Sequence, residues 1–338
     1  VRRKEFLKLL KNIKLKEHMS LKPQKQTNTL VGVYLNKDLR IELLNKCLYG
    51  LSMQDKPIDV VFLHEGFADD ELETISEVIK KPTISVFVDG EDEDGKETEK
   101  KIEYFDGTEV NHTIEQIEIN SFADIFNKTF QLAVDSGYDY FSVVECEDEV
   151  SLKWYEIAEK YAEENAKVGI FLPLIKNMIA ESFTSYINEF CWADNMAESA
   201  GYYDYMLLSR FNCIHPLGAL YRVSSLVEES DNIEERDGLM YPMKGCLKIT
   251  NYYEFFLRMV YNDIQVMNIP RVGYLLRHTA TDTFTHKSSK IPSHLTQLKP
   301  ENGGITQGEI QHWTQAALDD YVFFDDDLSR VELIEQTA

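Results

Sequence analysis

Residues Tyr140–Glu149 read YFSVVECEDE, an apolar, β-rich run that ends in four acids within five residues. Such a run predicts a buried strand. Alternate residues of a strand point the same way, so Glu145 and Glu147 are expected on one side, with Cys146 turned inward. In open parallel sheets, ligands collect beyond the carboxyl ends of the strands. Two carboxylates placed there can hold a hard cation, Mg²⁺ or Mn²⁺, against a diphosphate. The other reading makes Glu147, Asp148 and Glu149 the acidic first turn of the next helix, favoured by its dipole.

Upstream of this run the rhythm is β-α-β-α. Leu30–Leu35 (LVGVYL) and Asp59–Leu63 (DVVFL) predict buried strands. Helical spacing over 38–52 and 69–80 follows each of them. The default for such a pattern is a right-handed parallel sheet. Residues 83–120 break it: Ile84–Val88 and Lys101–Phe105 predict two strands around the acidic turn DGEDEDGKETE, which lacks EF-hand spacing.

Downstream, Ser121–Val134 predicts a helix capped by Ser121 and closed by Gly137. A helix over 151–165 and a strand at Gly169–Leu174 come next. Residues 176–250 are irregular and aromatic, with a short strand at Gly218–Arg222. Tyr252–Tyr261 predicts a helix. Val266–Ile269 and Val272–Leu276 predict two strands split by Pro270. A capping box at Thr306 and Glu309 starts a last helix over 306–320.

The chain of 338 residues is 43% hydrophobic and 28% charged, an ordinary globular composition. No apolar run is long enough to predict a membrane span, and no secretion signal opens the sequence, so the expected location is cytoplasmic. Five scattered cysteines form no CxxC and read as free buried thiols. Residues 1–26 hold nine Lys or Arg and two acids, a net +7 in a chain of −23, which leaves −30 for the rest. A body that acidic repels phosphate backbones and excludes general nucleic-acid binding. The basic stretch has helical spacing over 4–18. It reads either as an arm for an acidic protein or membrane surface, or as a helix packed on its own acidic body.

Four segments, in order, resemble the family 2 glycosyltransferases, inverting enzymes of the GT-A fold that use nucleotide sugars. Leu30–Leu51, with Asn36-Lys37-Asp38-Leu39-Arg40, resembles the opening strand, turn and helix. Val60–Asp69, with His64-Glu65-Gly66, resembles the strand ending in Asp-Asp-Gly. Phe126–Asp148 resembles the Arg-Asn-x-Gly helix and Asp-x-Asp strand, here Asn127 and Glu145-Cys146-Glu147. Gly218–His286 resembles the Gly-Ala-x-x-Arg strand (GALYR), the helix with an acidic pair, and the Tyr-x-x-Arg-x-His-like ending, here Tyr274 to His278.

The resemblance covers about 28–290. It implies a GT-A-like mixed, mainly parallel α/β sheet flanked by helices, with a basic arm at 1–27 and a helical extension at 291–338. It implies metal-assisted sugar transfer from a UDP- or GDP-linked donor to a protein or glycan acceptor. Asn36, Lys37, Glu65, Asn127 and Arg277 would meet the nucleotide, and Glu145, Glu147 and His278 the metal. Asn251 and Tyr252 fall where the family has its acidic pair, and neither is a carboxylate base. Glu254, two residues on and about 200° around the helix, or Asp237 is the remaining candidate. These departures, with His64 in place of an acid, leave a second reading. It is a catalytically inactive binding or structural protein of the same fold, for example in a virion. The aromatics of 183–211 read as either an acceptor platform or core.

Overall fold

The computed structural model describes residues 27–37, 39–80, 84–91, 97–104, 110–119, 121–179, 182–188, 201–203, 208, 214–228, 234–236, 239–243 and 251–278. Residues 1–26 of the basic arm, Asp38, Asp237, the 291–338 extension and Cys191, Cys213 and Cys246 lie outside them, as do Phe190, Trp192, Tyr205 and Phe211.

The chain runs β1 (Thr29–Leu35), α1 (Ile41–Ser52), β2 (Asp59–His64), α2 (Asp69–Lys80), β3 (Ile84–Glu91), β4 (Glu97–Tyr104) and β5 (Asn111–Gln116). It continues through α3 (Phe122–Ser136), β6 (Tyr140–Glu145), β7 (Glu149–Val150), α4 (Trp154–Glu164), β8 (Val168–Ile179), β9 (Ser182–Ile187), β10 (Tyr202–Tyr203) and β11 (Leu220–Arg222). Then come α5 (Val223–Glu228), β12 (Glu234–Arg236), β13 (Leu239–Tyr241), α6 (Asn251–Tyr261) and β14 (Gln265–His278).

The main sheet has the order β10-β14-β8-β11-β6-β1-β2-β5, with β7 added to β14 and β9 to β8. The strands β5, β2, β1 and β6 are parallel, as are β8 and β14. The three-residue β11 runs antiparallel to both β6 and β8 and joins the two blocks. The long strands therefore end along one edge. The hairpin β3–β4 forms a separate two-stranded sheet, and β12–β13 another.

Helices cover both faces. On one, Phe122, Phe126 and Phe130 recur every fourth residue of α3 and face the sheet. Phe126 meets Phe141 of β6, Tyr221 of β11 and Phe255 of α6 edge-on, with centroids 5.1, 5.0 and 5.1 Å apart. Each fully buried ring contributes about 1.5–3 kcal/mol, so this cluster fixes α3 and α6 against the strands. Gly32 lets α3 approach β1, because a Cβ there would lie 2.1 Å from Thr129 Oγ1. On the opposite face Tyr155 of α4 donates to Ser142 of β6 at 3.1 Å.

Helix α3 ends as expected: Gly137 adopts φ 74° and returns its N–H to Ala133 and Val134. At its start the Asp124 carboxylate accepts the Ser121 N–H at 2.8 Å. One expectation is corrected. The two strands predicted around Pro270 are one strand, β14, whose register with β8 shifts between Ile269 and Val272 and again before Tyr274. Proline lacks an N–H, and an irregularity of the ladder is where a strand accommodates it.

Candidate functional site

The site is built where β1, β2, β6 and β14 end. Asn36 follows the last residue of β1 and is 8% exposed. Neither its amide nitrogen nor its oxygen has a hydrogen-bond partner among the described residues. His64 closes β2 and is likewise buried, with Nδ1 unpartnered among those residues. Its ring stacks on Phe67, with centroids 5.4 Å apart and 28° between the planes. Burial lowers its pKa, so the imidazole is neutral at pH 7.

Lys37 and Glu65 meet at this edge, with Nζ 3.4 Å from Oε2. The other oxygen of Glu65 accepts from the Tyr34 hydroxyl at 3.4 Å. Tyr34 in turn lies opposite Glu145 in the β1–β6 register. Burial, then the charges of Glu65 and Glu145, push the Tyr34 hydroxyl well above its ordinary pKa. The structure thus brings Asn36, Lys37 and Glu65 together, and adds Tyr34 and His64.

The acidic turn after β6 serves neither as the first turn of the next helix nor as an open cage. Helix α4 begins only at Trp154, behind an N-cap Lys153 with φ 65°. Glu147 Oε1 accepts from the backbone N–H of Arg40 at 3.1 Å and from its Nε at 3.4 Å. Arg40 is the N-cap of α1, so Glu147 places negative charge at the positive end of that helix. Asp148 accepts the Tyr274 hydroxyl and the Arg277 N–H, each at 2.7 Å. The Arg277 guanidinium pairs with Glu149. Glu145 is buried beside Tyr34 and Tyr274, and its N–H donates to the Tyr274 hydroxyl at 3.1 Å.

Three acids of this turn are engaged within the protein. Glu147, Asp148 and Glu149 already accept from protein N–H, O–H or guanidinium groups. Among the described residues no three acidic, His or Cys side chains group as a metal site. The backbone of His278 pairs with Ile179 at the end of β14, and its side chain lies outside the described residues.

Two candidates, Glu254 and Asn127, are engaged within the protein. Glu254 is 0% exposed and holds Arg258 of its own helix through both oxygens, at 2.8 and 3.2 Å. Arg258 also donates to the Pro242 carbonyl at 2.5 Å. A general base must reach the acceptor hydroxyl, and Glu254 is instead half of a buried ion pair. Asn127 donates to the Met243 carbonyl at 2.7 Å and accepts the Met243 N–H at 2.9 Å, so its amide ties α3 to a loop.

The 183–211 aromatics divide. Tyr203 is core, whereas Phe183 and Tyr186 stand exposed on β9. Cys47 and Cys146 are free and buried, and burial pushes both thiols up, away from reactivity. Tyr34, Arg40 and Tyr274 went unassigned by sequence. For Tyr34 a signal existed: it stands on β1 two residues before Asn36, and alternate residues of an extended run share a side.

The chain matches the crystal structure of S. aureus TarS 1–349 with a TM-score of 0.50 at 12% identity, over 90% of this chain and 93% of that one. The chain has a GT-A-like fold, a mixed, mainly parallel α/β sheet flanked by helices. Two further TarS structures align with TM-scores of 0.49. One is a longer TarS, at 13% identity, of which this chain spans 44%. The other is TarS 1–349 in complex with UDP-GlcNAc, at 10% identity and 74% of its length. Both alignments cover 90% of the present chain. No protein-family model matches the sequence, and no curated protein matches it either.

Proposed function

We propose that this GT-A-like chain binds a UDP- or GDP-linked sugar across the carboxyl ends of β1 and β2 and transfers the sugar to a protein or glycan acceptor. The observation that carries this reading is the buried amide of Asn36, unpartnered among the described residues. Leaving such a group unpaired costs about 1–3 kcal/mol, which an occupant of that edge would recover. The amide offers a donor beside an acceptor, the complement of the N–H/C=O edge of uracil or guanine. The neutral ring of His64 adds a second polar atom. Glu65 can accept from a ribose hydroxyl, and the exposed Lys37 can exchange Glu65 for a diphosphate oxygen.

In the transfer, the bond from sugar C1 to the diphosphate oxygen breaks and the acceptor oxygen bonds to C1. The leaving diphosphate keeps the electron pair, and the acceptor loses its proton to a base. Lys37 supplies charge to the leaving group.

A second reading, donor binding without transfer, is favoured by Glu254, whose pairing with Arg258 removes it as the base. One experiment separates the two. UDP and GDP are titrated calorimetrically, with Mn²⁺ and with EDTA, into the wild type and Asn36→Ala, and free nucleotide released from the matching sugar donors is then measured. The expected result is binding of one nucleotide, weakened about tenfold in the variant, which corresponds to roughly 1.4 kcal/mol. No binding by the folded protein overturns the proposal. Binding without any turnover selects the second reading.

A further inference from the structure

The hairpin β8–β9 carries an aromatic pair that the donor edge does not use. Residues three apart on a regular strand face opposite ways. Phe183 and Tyr186 are three apart and yet share a face, because the ladder slips between them. Phe183 pairs with Met178 and Ser185 with Asn177, so Thr184 is the extra residue of a bulge. Their ring centroids are 4.9 Å apart, with 51° between the planes. Phe183 is 49% and Tyr186 41% exposed. Lys176, directly opposite Tyr186, places Nζ 6.0 Å from the Phe183 centroid.

Among the described residues, the other exposed large apolar side chains (Ile41, Leu152 and Tyr261) stand away from this hairpin in the chain. A bulge that brings two rings side by side in water, under an ammonium group, has no role in the core.

The pair is also tied to the site by register. Directly paired residues point the same way, so Arg277 on β14, Met178 on β8 and Phe183 on β9 form one row. Leu275, Lys176 and Tyr186 form the next row. With strands about 4.8 Å apart, Phe183 stands about 10 Å from Arg277, which holds the acidic turn.

We infer that Phe183, Tyr186 and Lys176 form a saccharide subsite. Two rings half exposed offer about 200 Å² of apolar surface, far short of the roughly 800 Å² per partner that a stable protein interface buries. That area matches the C–H face of one or two pyranose rings. The angle between the rings suits a curved sugar chain, and Lys176 adds donors for ring hydroxyls. Its assignment as the acceptor subsite rests on the transferase reading above, whereas sugar binding itself does not.

The test is saturation-transfer NMR on the full chain with chitotriose and cellotriose as probes, beside nucleotide calorimetry on the same samples. The expected result is transfer to the axial C–H protons of at least one trisaccharide. It falls at least fivefold in Phe183→Ala and in Tyr186→Ala and is retained in Phe183→Trp, with nucleotide affinity unchanged in all three. Both rings are exposed, so these variants fold. Absence of transfer from either probe overturns the subsite, as does transfer that both alanine variants leave intact. A wild-type dimer that Phe183→Ala converts to monomer overturns it in favour of a contact between copies. Failure of the donor reading shows separately, as loss of nucleotide binding with sugar binding intact.

Discussion

The hydroxyl of Tyr274 donates to Asp148 at 2.7 Å, and both groups are buried. A tyrosine near the end of β14 thereby holds the turn that ends β6, across 126 residues of sequence. With the Arg277 N–H on the other oxygen, Asp148 is the clasp between the two parallel blocks of the sheet at the edge where the site lies.

That clasp makes stability depend on pH. Burial pushes the Asp148 carboxyl up from 3.8 to about 7, against the pull of Arg277 and Tyr274. Between these values the folded chain holds a proton that the unfolded chain releases. Stability therefore falls as pH rises through this window. Urea unfolding at pH 5, 6, 7 and 8 should show a loss of a few kcal/mol at most in the wild type. The loss should be smaller in Asp148→Asn, which titrates nowhere in the window. Parallel curves for the two proteins would refute this account.

The strands and helices on either side of this edge were legible because their signals are local. LVGVYL, DVVFL and YFSVVE are strands, and Ser121 and Gly137 bracket α3 as their chemistry requires. The roles of the site residues were less legible, because they depend on partners far away in sequence. Nothing near Asn127 points to Met243, 116 residues on. The acids after β6 could be read as ligands or as a helix start, but their donors sit on α1 and β14. The Glu254–Arg258 pair is the exception: its i,i+4 spacing on a helix is visible in the sequence.

Glu254→Gln should act on stability. Removing one partner of a buried pair leaves Arg258 uncompensated, a loss of about 3–5 kcal/mol. The double variant Glu254→Gln/Arg258→Met should recover most of it, since no buried charge remains. Guanidinium unfolding of the two single variants and the double variant gives the coupling. An additive cycle would show that the pair is not bonded.

Asn127→Ala removes both hydrogen bonds to the Met243 main chain and leaves two buried backbone groups unpaired. The expected loss is about 2–3 kcal/mol in urea, with nucleotide affinity within twofold of the wild type. A tenfold weaker nucleotide at unchanged stability would restore Asn127 to the donor site.

Nucleotide binding should not need a divalent cation. Mg²⁺ or Mn²⁺ would have to displace Arg40 from Glu147 and Tyr274 or Arg277 from Asp148, and either of the latter displacements leaves a buried donor unpaired. Titrations in EDTA and in millimolar Mn²⁺ should give dissociation constants within about threefold, under 1 kcal/mol apart. Opening the turn provides the control. Arg277→Met leaves Glu149 without its guanidinium, so added Mn²⁺ should raise the melting temperature of this variant more than that of the wild type. If instead the wild type binds nucleotide only with Mn²⁺, the turn rearranges around a cation. Glu145 and Glu147 would then be its ligands, at the expense of the α1 cap and the clasp from β14.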